Sequence, residues 1–329
     1  MINAAMAQSV ERVLGKDEVG GSNPPSSSIM QPIPCGLVAF FQFLIRIRMT
    51  GERIMAYKKI LTIQDISCVG QCSLTVALPI LSACGHETCI LPSAVLSTHT
   101  AGFSGFTFRD LTDDMPAIQA HWQKEGIAFD SIYTGYLGST KQVGYVKNIL
   151  DTMGVEGAIK IVDPAFADNG KLYPIFDAEY VNAMKTLCPS ADILVPNITE
   201  ACFLAGVEYK ESYDEQYIKG LLSALEELGC STIVLTGVGY ERGKTGVVVY
   251  ERGQIRYYEH KRIARGCHGT GDVYASAFTG ALLNGKDIFT AAKIAADYTV
   301  RCIENTQGDP DHWYGVKFET ALPDLIKML

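Results

Sequence analysis

Short apolar runs alternate with amphipathic stretches along most of this chain, and the alternation starts only after residue 54. Lys59-Ile60-Leu61-Thr62-Ile63-Gln64 has the continuous apolar character of a buried strand. Residues 73–84 follow as a helix, with Ser73 as the expected N-cap and Pro79 as an expected kink. Further strands are predicted over residues 87–91, 131–134, 158–163, 192–195 and 232–236, and further helices over 141–153 and 214–228, the last stopped by Gly229. Residues 246–250 and 254–258, joined by Glu251-Arg252-Gly253, read as an antiparallel hairpin. Helices over 271–283, 288–304 and 317–328 complete the pattern. Buried strands separated by helices predict one α/β domain over residues 55–329, a mostly parallel sheet with helices on both faces. No internal repeat or linker divides it. Ligands of such sheets collect at the carboxyl ends of the strands. Asp65, Tyr136, Asp163, Asn197 and Thr236 fall at those ends.

The first 54 residues carry a different pattern. Gly20-Gly21-Ser22-Asn23-Pro24-Pro25-Ser26-Ser27-Ser28 is turn-forming and reads as disordered. Residues 37–45 are apolar, but Gln42 interrupts them and Arg46 and Arg48 close them, well short of the roughly 20 residues that span a bilayer. The run also sits late for a secretory signal and lacks a clean small-residue cleavage site. The tetrapeptide Gly21-Ser22-Asn23-Pro24 is what the T-arm of a transfer-RNA gene yields when read as codons. The expectation is that Met55 is the true start and residues 1–54 are a start-site artefact.

Composition narrows the classes. The chain has 329 residues, 47% of them hydrophobic, which suffices for one large domain. A net charge of −8 speaks against nucleic acid as the main partner. The ten cysteines are scattered without a CxxC pair, as in a chain that keeps free thiols in a reducing cytoplasm. His86-Glu87 has no second histidine at zinc-protease spacing. Gly243-Lys244-Thr245 lacks the glycine five positions earlier that a P-loop needs, and a strand rather than a helix follows it. Gly237-Val238-Gly239 lacks the third glycine of a dinucleotide fingerprint, since residue 242 is Arg242.

The run Gly266-Cys267-His268-Gly269-Thr270-Gly271-Asp272 leads into the small-residue helix that begins near 271. A glycine turn at a helix N-terminus gathers unpaired backbone N–H groups at the positive end of the helix dipole, which attracts an anion. An aspartate at the edge of that site is placed to take a proton from an incoming hydroxyl, and together they suggest phosphoryl transfer to an alcohol. The blander reading is a tight turn followed by an ordinary first-turn acid.

Gly269-Thr270-Gly271-Asp272, with Asn197-Ile198-Thr199-Glu200 after the 192–195 strand, resembles the paired signatures of the ribokinase-like superfamily. Within it the pyridoxal/pyridoxamine kinases are most similar, on Ile63-Gln64-Asp65, Leu96-Ser97-Thr98-His99-Thr100, Thr134-Gly135-Tyr136-Leu137-Gly138-Ser139 and Val162-Asp163-Pro164. The resemblance covers about residues 57–329 and implies a ribokinase-like kinase domain. By it, Asp272 is the base that deprotonates the 5′-hydroxymethyl of a B6 vitamer for attack on ATP, and Gly269, Thr270 and Gly271 form the anion hole. Asn197, Glu200 and Asp163 would organise Mg2+, largely through its waters, and a K+ requirement is also implied. Asn197 and Glu200 equally fit a helix-capping pair. Asp168, with Tyr173 near it, and Thr236 would border the nucleotide. His99, Thr100 and Tyr136 would surround the pyridine ring, with Cys72 close by. Asp65 departs from the serine usual there and would accept from a protonated ring nitrogen or an amine. The resemblance further implies a homodimer, while the scattered thiols, the short apolar run and the acidic balance point to a cytoplasmic chain that binds neither membrane nor nucleic acid. The alternatives are a hydroxymethylpyrimidine kinase or sugar kinase of the same fold and, in another class, a non-catalytic B6-vitamer binder.

Overall fold

Strand β1 (Lys59–Ser67) runs through the middle of the sheet, and its apolar side chains alternate between two cores: Ile60 packs on one side, Leu61 and Ile63 on the other. A strand covered on both faces has no solvent side, which is why Ile60, Leu61 and Ile63 are apolar on both faces and its polar residues Thr62, Gln64 and Asp65 are buried too. The computed structural model describes residues 57–263 and 267–329. The expectations for residues 1–54 and for Gly266 lie outside the described residues.

After β1 come α1 (Leu74–Ala83), β2 (Glu87–Leu96), β3 (Phe108–Asp110), α2 (Met115–Lys124), β4 (Phe129–Thr134), α3 (Thr140–Thr152) and β5 (Gly154–Val162). A small hairpin, β6 (Ala167–Asp168) and β7 (Lys171–Leu172), precedes α4 (Ala178–Lys185), β8 (Ile193–Leu194), α5 (Ile198–Ala205) and α6 (Glu215–Glu226). Then follow β9 (Thr232–Val238), β10 (Lys244–Glu251), β11 (Gln254–Lys261), α7 (Thr270–Leu283), α8 (Ile288–Thr306) and α9 (Leu322–Met328). The nine-stranded sheet has the order β11-β10-β9-β8-β5-β4-β1-β2-β3. All pairings from β2 through β9 are parallel. Antiparallel β10, β11 and β3 close the two edges. The predicted α/β domain with a mostly parallel sheet is therefore the observed fold.

Several details differ from the expectation. Strand β2 runs on through Pro92 to Leu96, and β5 begins at Gly154. Helices α2, α4 and α5 and the β6–β7 hairpin were not predicted as elements, because their apolar residues are few or their lengths are eight to ten residues. The last predicted helix is a 3-10 turn, Phe318–Ala321, followed by α9. Ser73 precedes α1 as expected but does not cap it: it has φ 54° and makes no side-chain cap bond.

Candidate active site

Asp163 follows the end of β5 by one residue, and the turn beyond it is tight: Ala165 has φ 46°, in the left-handed region. The Ala165 N–H bonds back to the Asp163 carboxylate. Burial pushes this carboxyl well above its ordinary range, and the charges of Glu200 and Asp272 push it further. Both carboxylates therefore lie within electrostatic reach of Asp163.

Glu200 and Asn197 open α5 in a reciprocal capping box. Asn197 Oδ1 accepts from the Glu200 N–H (3.0 Å), and Glu200 Oε2 accepts from the Asn197 N–H (2.9 Å). Their remaining polar atoms are also committed: the Phe166 N–H donates to Glu200 Oε1 (3.1 Å) and Asn197 Nδ2 donates to Ala167 O (2.8 Å). Glu200 is 3% exposed. Burial raises its pKa to about 7 even though the N–H groups of Asn197, Ala167 and Phe166 favour its charged form.

Asp272 sits at the third position of α7, whose N-cap is Gly269 in the left-handed conformation, φ 75°. A Cβ on Gly269 would lie 1.8 Å from the Gln71 carbonyl oxygen, so only glycine lets the helix start this close to the turn after β1. Gly271 is exposed, and a Cβ there would meet nothing within 4 Å. The first-turn N–H groups of α7 have no intrahelical acceptor. Asp272 is half-buried; desolvation raises its pKa to about 7, the charge of Asp65 adds to the rise, and the Ser73 N–H opposes it. Ser73 thus serves the site instead of α1: its N–H holds Asp272 and its hydroxyl acts on Asp65.

Asp65 is 5% exposed, accepts from Ser67 Oγ (3.1 Å), and is pushed up by burial. Tyr136 is half-buried, packs on Phe176 with centroids 5.7 Å apart, and feels the Asp65 charge. His99 is buried with both ring nitrogens engaged. The Ala101 N–H donates to Nδ1 (3.2 Å), so Nε2 carries the proton and donates to Tyr314 O (2.6 Å). His99 therefore offers a ligand ring edges rather than hydrogen bonds. Thr100 is exposed. Thr236 pairs with Asn197 in a parallel bridge, and its Oγ1 donates to Pro196 O (3.3 Å). Asp168 is exposed and accepts from its neighbour Asn169. The Tyr173 hydroxyl, raised first by burial, senses the charges of Glu200, Asp168, Asp272 and Asp163, which places Asp168 on the rim of the carboxylate group.

The sequence reading missed an aromatic wall. Phe103 packs on His99 (5.0 Å) and Trp313 (4.7 Å), and His268 lies 5.4 Å from His99. His312 Nε2 lies 2.7 Å from Gln71 Oε1. The one signal was the aromatic cluster His312-Trp313-Tyr314 in a stretch without helical spacing. Among the described residues, no three His, Cys, Asp or Glu side chains are arranged to hold a metal ion directly, and no helix is long and apolar enough to cross a membrane.

Buried carboxylates within electrostatic reach of one another beside an open helix N-terminus, at the carboxyl edge of a parallel sheet, suit phosphoryl transfer to a small molecule. The chain belongs to the phosphomethylpyrimidine kinase family, whose model matches residues 79–315. It is similar to a candidate phosphomethylpyrimidine kinase from Bacteroides thetaiotaomicron solved with pyridoxal, at 38% identity and TM-score 0.77, covering 82% of this chain and 96% of that one. It is also similar to the pyridoxal kinase of Lactobacillus plantarum, at 31% identity and TM-score 0.77, covering 82% of this chain and 97% of that one. The hydroxymethylpyrimidine/phosphomethylpyrimidine kinase of Bacillus subtilis is 25% identical over 222 residues, 66% of this chain and 78% of that protein. The relatives are thus kinases of both kinds.

Proposed function

We propose that this chain transfers the terminal phosphoryl group of ATP to the 5′-hydroxymethyl of a B6 vitamer: pyridoxal, pyridoxine or pyridoxamine. The observation that carries the reading is the placement of Asp272 in the first turn of a helix whose glycine N-cap packs against the turn after β1; burial also raises its pKa to about 7. In this reading Asp272 takes the hydroxyl proton as the oxygen attacks phosphorus. The free N–H groups of the Gly269-Thr270-Gly271 turn meet the charge that develops on the transferring group. Tyr136, His99 and the aromatic wall enclose a flat heterocycle, and Asp65 is the acceptor for its ring nitrogen or amine. Thr236 and Asp168 border the nucleotide.

Mg2+ fits this donor set. Asp163 faces two like charges, a crowding that a cation relieves, and it keeps acceptor capacity. Both Glu200 oxygens already accept backbone N–H groups, so Glu200 and Asn197 would hold the ion through its water. When bound, the ion neutralises charge on the phosphates.

A base must be deprotonated to act. With its pKa at about 7, Asp272 is mostly neutral at pH 6 and mostly charged at pH 8. The expected kcat/KM for the acceptor therefore falls about tenfold per unit of pH on the acid side of that value and levels off above it. A flat profile from pH 5.5 to 8 would take Asp272 out of the role.

Hydroxymethylpyrimidine phosphorylation is the second reading, favoured by the family match and the Bacillus subtilis relative. The pyridoxal-bound and pyridoxal-kinase relatives, at 38% and 31% identity, favour the first. A panel of pyridoxal, pyridoxine, pyridoxamine and hydroxymethylpyrimidine with Mg-ATP separates them. One B6 vitamer should exceed hydroxymethylpyrimidine in kcat/KM by about tenfold or more, the scale of a small difference in pocket fit. The reverse order would establish the second reading.

A further inference from the structure

The chain between β9 and β10 leaves the sheet beside the start of α5, and two tyrosines grip it by a single peptide group. Thr236 is bridged to Asn197, so this loop begins at the sheet edge that carries Glu200. Residues 237–243 include Gly237, Gly239 and Gly243, a composition that leaves a loop loose unless something fixes it. The Val238–Gly239 amide is fixed at both ends. The Gly239 N–H donates to the Tyr213 hydroxyl (3.1 Å), and the Tyr257 hydroxyl donates to Val238 O (3.2 Å). Tyr213 comes from the connection before α6 and Tyr257 from β11, and both are half-buried. Tyr240, next along the loop, packs edge-on against both rings, with centroids 6.3 Å from Tyr213 and 5.0 Å from Tyr257.

Glycine at 246 makes this reach possible. Gly246 pairs with Val238 on one side and with Glu259 of β11 on the other. A Cβ on Gly246 would fall 3.0 Å from the Tyr257 ring and 2.0 Å from Tyr258 O, so bare backbone lets the ring cross β10 to Val238. The β9–β10 ladder pairs Val238 with Gly246 and Thr236 with Val247 and skips Gly237, which is exposed with φ 76°. A hollow of about 240 Å3 lined by Ile218, Tyr240, Ile255 and Tyr257 adjoins the rings. Packing leaves them room on that side, so the hydroxyl bonds set where they stop. We propose, on the reading that the nucleotide lies beside Thr236, that Tyr213 and Tyr257 are positioning residues for it: by holding one amide they keep the exposed Gly237 turn in the shape that receives the nucleotide. A loop left loose would have to be ordered at each binding event, and that entropy would be lost from affinity.

Tyr213→Phe and Tyr257→Phe keep the rings and delete one hydrogen bond each. Each should weaken ADP binding, measured by calorimetry, about three- to tenfold, the scale of one neutral hydrogen bond. The KM for ATP should rise in step, with kcat and the KM for pyridoxal unchanged. Gly237→Val, which adds a side chain on the open side of the turn, should weaken ADP more than either. Parental ADP affinity in both tyrosine variants, with Gly237→Val impaired, would overturn the clamp and leave the nucleotide's place standing. Parental affinity in all three would remove the nucleotide from this strand end, and the reading of Thr236 would fail together with the proposal. A lower thermal midpoint without the split between the two KM values would mark the tyrosines as structural alone and would also overturn it.

Discussion

Asp272→Asn should fold like the parent and lose about 10²–10⁴-fold in kcat, the contribution of a positioned general base. The substitution preserves shape and the acceptor for the Ser73 N–H while removing the capacity to take a proton. It also removes a half-buried charge within reach of Asp163 and Asp65, so the thermal midpoint at pH 8 should hold or rise. Turnover is followed by ADP release with pyridoxal as acceptor, and folding by thermal unfolding. A variant with parental kcat would show that the proton leaves by another route.

The second large effect separates in role two glycines that lie two residues apart in the same turn. Gly269→Ala should lose more than about 100-fold in kcat, the scale of a spoiled anion hole. The new Cβ would meet the Gln71 carbonyl at 1.8 Å, and an L-residue at φ 75° adds about 1–2 kcal/mol of strain. Helix α7 can start only if the turn after β1 retreats, which carries Asp272 and its amides out of line. Gly271→Ala introduces no clash, since its Cβ points into open space. Its thermal midpoint should match the parent, yet kcat/KM for ATP should fall about tenfold, because that open space is where a phosphoryl group approaches the amides. Equal behaviour of the two variants in turnover and stability would mean the turn is only a turn.

Fold class was legible because its signal is long-range and repetitive. Six buried parallel strands each announce themselves as continuous apolar runs. The elements that escaped notice have weak periodicity for physical reasons: α5 is apolar on nearly every face, and β3 is a three-residue exposed edge. The site was partly legible. Asp272, Gly269, Asn197 and Glu200 follow from motifs whose chemistry is local. The capping box at Asn197 was visible in its spacing, and the structure shows it is fully used by backbone. The service of Ser73 to Asp272 was hidden, because a serine before an apolar helix looks like a cap and only the positive φ redirects it. The aromatic wall was hidden too, because residues 99–103, 268 and 312–314 meet only after the chain has folded.

His99 locks the loop after β2 to the segment before the final 3-10 turn by donating to Tyr314, while the carboxylates are carried by strand ends and helix starts. On the proposed reading, the aromatic wall of the acceptor pocket and the phosphoryl-transfer carboxylates therefore lie on separate segments, with Asp65 and Tyr136 at the strand ends between them. A lineage can rewrite the clasped loops to welcome a different heterocycle and leave the machinery that moves phosphorus untouched. That modularity offers a physical route by which one scaffold can diverge between vitamin classes.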